Sequence, residues 1–275
     1  MTFLVTGATG NVGRHVVAQL LEAGVKTRAL TRNPAKANLP EGAEVVAGDL
    51  ARTETLGPVF EGVTAAHLIN FGGDNYELLP NGAEIVELLL KSGVKRVTLL
   101  GAWDNGSLED AVDASDLQWT RIGPGEFMSN ALEWVSDIRT TGVVEAAFVD
   151  GHSPMSHEAD LAAVAVKALL EEGHHGKTIQ VAGPAPVALR DKIRIIGEAI
   201  GKDVTLVELT PEQLRAKMAE QGVSQDLIDF QIEVFGGLPT EPYEMEGTVE
   251  FEQFTGRPPR SFTQWAAENA DAFRS

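Results

Sequence analysis

Residues 4–13 read LVTGATGNVG: an apolar run, then glycines at positions 7, 10 and 13. No other stretch limits the fold so tightly. Glycine loses more backbone entropy on ordering than any other residue, so three at fixed spacing mark a turn with a special task. Between a strand and a helix, the first glycine lets the chain leave the strand sharply. The second lets backbone N–H groups approach a diphosphate, and the third lets helix and strand pack closely. The helix start then offers unpaired N–H groups and partial positive charge to the phosphates. The candidate contacts on this loop are Gly7, Thr9, Gly10, Asn11, Val12 and Gly13.

Strand and helix patterns alternate beyond the loop. Strands are expected at Thr2–Thr6, Lys26–Thr31, Ala43–Ala47, Ala65–Asn70, Val94–Leu100 and Leu117–Ile122. Helical spacing runs through Asn11–Ala23 and Ala83–Leu90, and Gly24 is placed to end the first of these. This rhythm predicts an α/β fold with a doubly wound parallel sheet covered on both faces. The pattern changes after about residue 140. A helix is expected over Leu161–Leu170, a strand over Lys177–Ala182, mainly helix over Pro211–Phe235, and a last amphipathic helix from a Ser261 cap. The division expected is a dinucleotide-binding domain over 1–150 and a smaller, mostly helical, interleaved lobe over 151–275.

Charge and composition exclude several functions. With 40 acidic and 22 basic residues the net charge is −18, which repels a nucleic-acid backbone. Cysteine is absent, which removes disulfides, thiolate metal sites and a cysteine nucleophile. No apolar run approaches the roughly 18 residues of a membrane span, and the first residues do not read as a signal peptide, so a cytoplasmic location is expected. His174 and His175 adjoin without further ligands nearby, so no metal is expected. No G-x-S-x-G elbow supports hydrolase chemistry.

The second strand ends in Thr31 and Arg32, where an acid usually reads the ribose 2′-hydroxyl of NAD. A guanidinium pairs with a 2′-phosphate, so NADP(H) is expected over NAD(H). Asp49, beside Leu50, suits an adenine amino group and equally suits a helix N-cap. Asn70, Phe71, Gly101, Pro124 and Phe127 complete the expected cofactor contacts. Asn130 is a further candidate beside the nicotinamide, or else a packing residue.

With TGATGNVG, the TRNP turn, Gly48–Asp49–Leu50, WTRIGPGEFMSN, SHEADLAAVA and TGRPPRSFTQWAAENA in hand, the chain resembles the atypical short-chain dehydrogenase/reductase superfamily, in its NmrA-like branch. The likeness spans nearly the whole length. It implies a Rossmann-type core, a small C-terminal lobe, and a substrate lying over the nicotinamide. That branch includes quinone reductases, reductases of dyes and natural-product ketones, and redox sensors that bind the dinucleotide without turnover.

The superfamily's usual Tyr-x-x-x-Lys proton relay is missing. Four residues after Tyr76 stands Pro80, and four after Tyr243 stands Gly247. Gly101 and Ala102 occupy the usual place of a catalytic serine. The candidate proton donors are Trp103, Asp104, Asn105, Ser107 and Tyr76. A quinone or enone stabilises its own anion and needs less help from the protein. The expected function is NADPH-dependent reduction of a small conjugated or aromatic ketone or quinone, by a monomer or homodimer. A dinucleotide-binding redox sensor is the alternative, and a non-redox isomerase or lyase is a third. His157 and Asp160, in SHEAD, are expected to be a packed residue and a helix cap.

Overall fold

Seven short, largely apolar segments pair in parallel to form one sheet. They are β1 (Thr2–Val5), β2 (Lys26–Thr31), β3 (Glu44–Ala47), β4 (Val63–Ile69), β5 (Arg96–Leu100), β6 (Gln118–Pro124) and β7 (Lys177–Val181). The computed structural model describes residues 1–73, 77–101 and 106–274. The strand order is β7-β6-β5-β4-β1-β2-β3. It reverses direction at β1, so β1 and β4 flank the switch point where open α/β sheets bind ligands at their carboxyl ends.

Helices cover the sheet because its strands have apolar side chains on both faces. Helix α1 (Gly13–Glu22) buries Val16, Val17 and Leu20. Helix α2 (Gly82–Lys91) buries Ile85, Val86 and Leu89, and α3 (Ser107–Asp113) buries Leu108 and Val112. A Cβ on Gly82 would lie 2.3 Å from Ser107 backbone atoms, so α2 and α3 pack nearly backbone to backbone. Helix α4 (Glu158–Leu170) packs against α1, and Gln19 Nε2 donates to Ala159 O at 2.9 Å. Leu4, Leu68, Leu89, Leu99 and Leu108 share one core. Each such side chain contributes about 2 kcal/mol by leaving water.

The chain forms two compact units. One comprises Met1–Pro124, Glu158–Val181 and Glu250–Arg257; the other comprises Gly125–His157, Ala182–Val249 and Pro258–Ser275. This differs from a single boundary at residue 150. The physical reason is strand pairing: β7 hydrogen-bonds to β6, which draws 158–181 back into the sheet unit. The second unit centres on the helix Leu189–Ile200, whose Ile193 and Ile196 pack with Phe262, Trp265 and Phe273. It also holds the parallel pair Val143–Ala146 and Thr205–Glu208, and the helices Pro211–Glu220 and Gln225–Gly236. Ser261 caps Phe262–Glu268 as the sequence predicts, accepting the Gln264 N–H at 3.2 Å. Asn269 then separates that helix from Ala270–Phe273.

A polar row crosses the buried sheet. His67 of β4 lies beside Thr98 of β5, which lies beside Thr120 of β6. His67 is fully buried; its Nδ1 lies 2.9 Å from Thr98 Oγ1, and its Nε2 has no partner. Burial disfavours the imidazolium and holds the pKa down to about 4, against 6.5 for a free imidazole. The unfolded chain therefore takes up a proton below pH 6.5 that the folded chain refuses until about pH 4. The stability from a neutral His67 is complete above the upper value, falls through that window, and is level below it. We expect this one group to cost about 3 kcal/mol across the window. Urea denaturation of wild type and His67→Leu from pH 7.5 to 4 checks it: the variant should lack that share of the acid slope.

Candidate functional site

The glycine loop grows out of β1 through Thr6. The Thr6 N–H and hydroxyl both donate to His67 O, at 2.9 and 3.0 Å, and the hydroxyl accepts the Ile69 N–H at 3.0 Å. This locks the end of β1 to β4 just before the turn. Gly7 has φ +57°, in the left-handed region, and a Cβ there would lie 2.9 Å from Ile69 Cδ1. Gly10 N–H closes the turn by donating to Gly7 O at 2.9 Å. A Cβ on Gly13 would fall 2.1 Å from Gly7 O and 2.9 Å from Ala8 Cα. The third glycine therefore brings α1 against the turn itself. Val12, buried at the N-cap position, offers no side-chain cap, and the first turn of α1 holds no acid. Within that turn the Arg14 N–H donates to Gly10 O at 3.3 Å and the His15 N–H to Val12 O at 3.0 Å, so what the start of α1 offers an anion is chiefly the positive end of its dipole.

The other expected contacts of the sheet unit lie at the carboxyl ends of neighbouring strands. Thr31 ends β2, and its Oγ1 accepts the Asn33 N–H at 3.2 Å. Arg32 is exposed, and its Nη1 donates to Gly73 O at 2.8 Å. Asp49 follows β3. Its Oδ1 accepts the Ala51 N–H at 3.1 Å in a local turn, and the N-cap of the next segment, Thr53–Thr55, is Arg52, so Asp49 is not the helix N-cap expected. Leu50 sends its side chain into the core. Phe71 follows β4 on a two-residue strand paired with Leu78. Gly101 follows β5 and donates to Ile122 O at 2.9 Å, and Pro124 ends β6.

Asn70, just past β4, is a buried polar group placed to meet a ligand. It is 1% exposed, and neither its Oδ1 nor its Nδ2 has a hydrogen-bond partner. An unsatisfied buried amide group costs about 1–3 kcal/mol. A donor and an acceptor so placed suit the hydroxyl groups of a ribose. Together with the bare, uncapped loop, this carboxamide fits a nicotinamide dinucleotide.

Tyr76, Trp103, Asp104 and Asn105 lie outside the described residues. The Ser107 hydroxyl donates to Leu79 O and accepts the Gly82 N–H at 3.0 Å, so it ties α3 to the start of α2. Phe127 belongs to the second unit, on the strand Glu126–Phe127 paired with Met155–Ser156, and Asn130 follows there in a 3₁₀ segment. His174 and His175 lie near the amino ends of β6 and β7: His174 O accepts from Thr120 Oγ1, and the His175 Nδ1 accepts the Trp119 N–H. His157 is packed as expected, with Nε2 3.1 Å from Glu268 Oε2. Asp160 stands within the first turn of α4, where its Oδ1 accepts from Arg257 Nη2 at 2.7 Å; it is an ion-paired acid in that turn.

Two features escape the sequence reading. One is Arg14, whose guanidinium reaches back to the loop carbonyls; a cation in a first helical turn is its visible signal. The other is the buried pair of Lys192 Nζ and Glu126 Oε2, 2.7 Å apart in the second unit. Glu133 faces both, and its carboxyl is raised above the usual range by desolvation and by the charge of Glu126.

The loop, the switch point and the strand order define a dinucleotide-binding protein of Rossmann type. The chain belongs to the NAD(P)H-binding family, whose model matches residues 7–172. It is 31% identical to a (4-alkanoyl-5-oxo-2,5-dihydrofuran-3-yl)methyl phosphate reductase of Streptomyces griseus, over 98% of each chain. It is 30% identical to an NAD(P)H azoreductase of Xenophilus azovorans, again over 98% of each. Among solved structures, it resembles an NADPH-dependent quinone oxidoreductase of Escherichia coli complexed with NADPH, with a TM-score of 0.76 at 22% identity, covering 97% of this chain and 99% of that one.

Gly13→Ala should force the turn open, since its methyl carbon cannot remain 2.1 Å from Gly7 O. We expect a loss of about 2 kcal/mol or more in stability, and of dinucleotide binding with it. Gly10→Ala meets the same oxygen at 3.1 Å and should cost less. Chemical denaturation and calorimetry on the two variants test the ranking.

Proposed function

We propose that this protein is an NADPH-dependent reductase of small conjugated or aromatic carbonyl compounds and quinones. The observation that carries the reading is the unsatisfied Asn70 carboxamide just past β4, the strand paired with β1 and its glycine turn. The bound dinucleotide supplies a hydride. The chain's part is to hold it: the α1 N–H groups take the diphosphate, Asn70 takes ribose hydroxyls, and Arg32 takes the 2′-phosphate. Family membership supports a reductase, and the printed activities of the relatives, on an acylated dihydrofuranone, azo compounds and quinones, support a conjugated acceptor. Neither tyrosine has a lysine four residues on, and the Ser107 hydroxyl proton is directed to Leu79 O. An acceptor that stabilises its own negative charge and draws its proton with little assistance fits this arrangement.

Purified protein with NADPH should reduce quinones and enones. Because a positioned acid is worth about 10²–10⁴ in rate, simple aliphatic ketones should react at least about a hundredfold more slowly. Loss of reduced-nicotinamide absorbance measures this, and equal rates on both classes would refute the unassisted proton transfer. Arg32→Ala should weaken NADPH binding by about tenfold or more while leaving NADH unchanged. Equal losses would remove the 2′-phosphate role.

A further inference from the structure

Arg14 stands where a helix ordinarily carries an acid. It is the second residue of α1, and the positive end of a helix disfavours a cation there. Its side chain turns back along the chain: Nε donates to Gly10 O at 3.2 Å, and Nη2 donates to Thr9 O at 2.9 Å. The Arg14 backbone N–H also donates to Gly10 O, at 3.3 Å. Among the described residues, no carboxylate forms an ion pair with Arg14.

A backbone loop holds an anion when its N–H groups face it and its carbonyls point elsewhere. Gly7 O is already occupied by the Gly10 N–H. The carbonyls of Thr9 and Gly10 come next, and the planar guanidinium fork takes both at once. Each carbonyl shares a rigid plane with the following N–H, so holding the Thr9 oxygen also fixes the Gly10 N–H in its bond to Gly7 O and with it the shape of the turn. We propose that Arg14 is a positioning residue that staples the diphosphate loop from its own helix, keeping the Thr9 and Gly10 carbonyls turned away from the anion. The proposal rests on the dinucleotide reading of this loop. It gives Arg14 a role different from that of Arg32: the diphosphate is common to both nicotinamide dinucleotides, so the staple favours neither.

The test is calorimetry on wild type, Arg14→Ala and Arg14→Lys with NADPH, NADH, ADP-ribose and adenosine 2′-monophosphate. Arg14→Ala should weaken the three diphosphate ligands by one common factor, about tenfold, and leave the 2′-monophosphate unchanged. Arg14→Lys should recover part of the loss, because an ammonium can hold one carbonyl but lacks the fork for two. Unchanged affinities in Arg14→Ala, even with a lowered melting temperature, would overturn the proposal by making the contact merely structural. A loss confined to NADPH and the 2′-monophosphate would overturn it by making Arg14 a reader of the extra phosphate. If wild type itself binds none of the diphosphate ligands, the dinucleotide reading fails and the staple with it, a result distinct from any seen in the variants. Should Arg14→Ala not fold, Arg14→Gln and Arg14→Lys carry the same comparison.

Discussion

Helix α1 begins so close to the turn before it that the Gly13 Cα faces the Gly7 carbonyl with no room for a methyl group. That approach shapes everything at this edge of the sheet. It requires glycine at Gly13, and it directs the first turn of α1 toward the end of β1. Val12 stands at the N-cap position, where a serine or aspartate would ordinarily contribute about 1 kcal/mol of capping. The helix therefore starts without a side-chain cap, its Arg14 and His15 N–H groups held by the Gly10 and Val12 carbonyls.

Two polar deficits meet at the switch point of the sheet. The uncapped start of α1 and the bare amide of Asn70 both occur beside β1 and β4, at the switch point of the sheet. Thr210 and Ser261 form reciprocal caps with a glutamine three residues on, whereas Leu189–Ile200 and Gln225–Gly236, like α1, start without a side-chain cap. The unpaired Asn70 amide has a thermodynamic meaning. A ligand that satisfies these groups binds only the folded chain and so stabilises it by mass action. Rigidity is supplied from beneath, where Thr6 joins β1 to β4 by three hydrogen bonds and keeps the turn in register with the strand that bears Asn70.

Much of this is legible along the chain. The period of the apolar residues marks every strand of the sheet to within a residue or two, and it marks α1, α2 and the final helical segment. The glycine spacing marks the loop, and Arg32 stands at the end of β2 as expected. Other features are hidden for definite reasons. Asn70 is visible as a residue at a strand end, but its burial depends on what α2 and the neighbouring strands place over it. Leu50 adjoins a candidate contact in sequence, yet its side chain turns inward to the core, because neighbouring residues leave a strand end in different directions. Asp49 commits one oxygen to a local turn rather than to a helix N-cap, because the cap of the next helical segment stands three residues further on, at Arg52.

The division of the chain shows the same boundary between kinds of information. Local pattern detects the β7 strand but cannot assign it to a body, since parallel pairing with β6 joins residues over fifty positions apart. The sequence by itself determined the alternation of elements, the glycine turn and the guanidinium after β2, because each rests on side-chain period or backbone freedom within a few residues. Only the tertiary structure decided which polar atoms end without partners, which carbonyls Arg14 holds, and which segments share a sheet. Those outcomes depend on burial and long-range pairing, and no short window of sequence contains them.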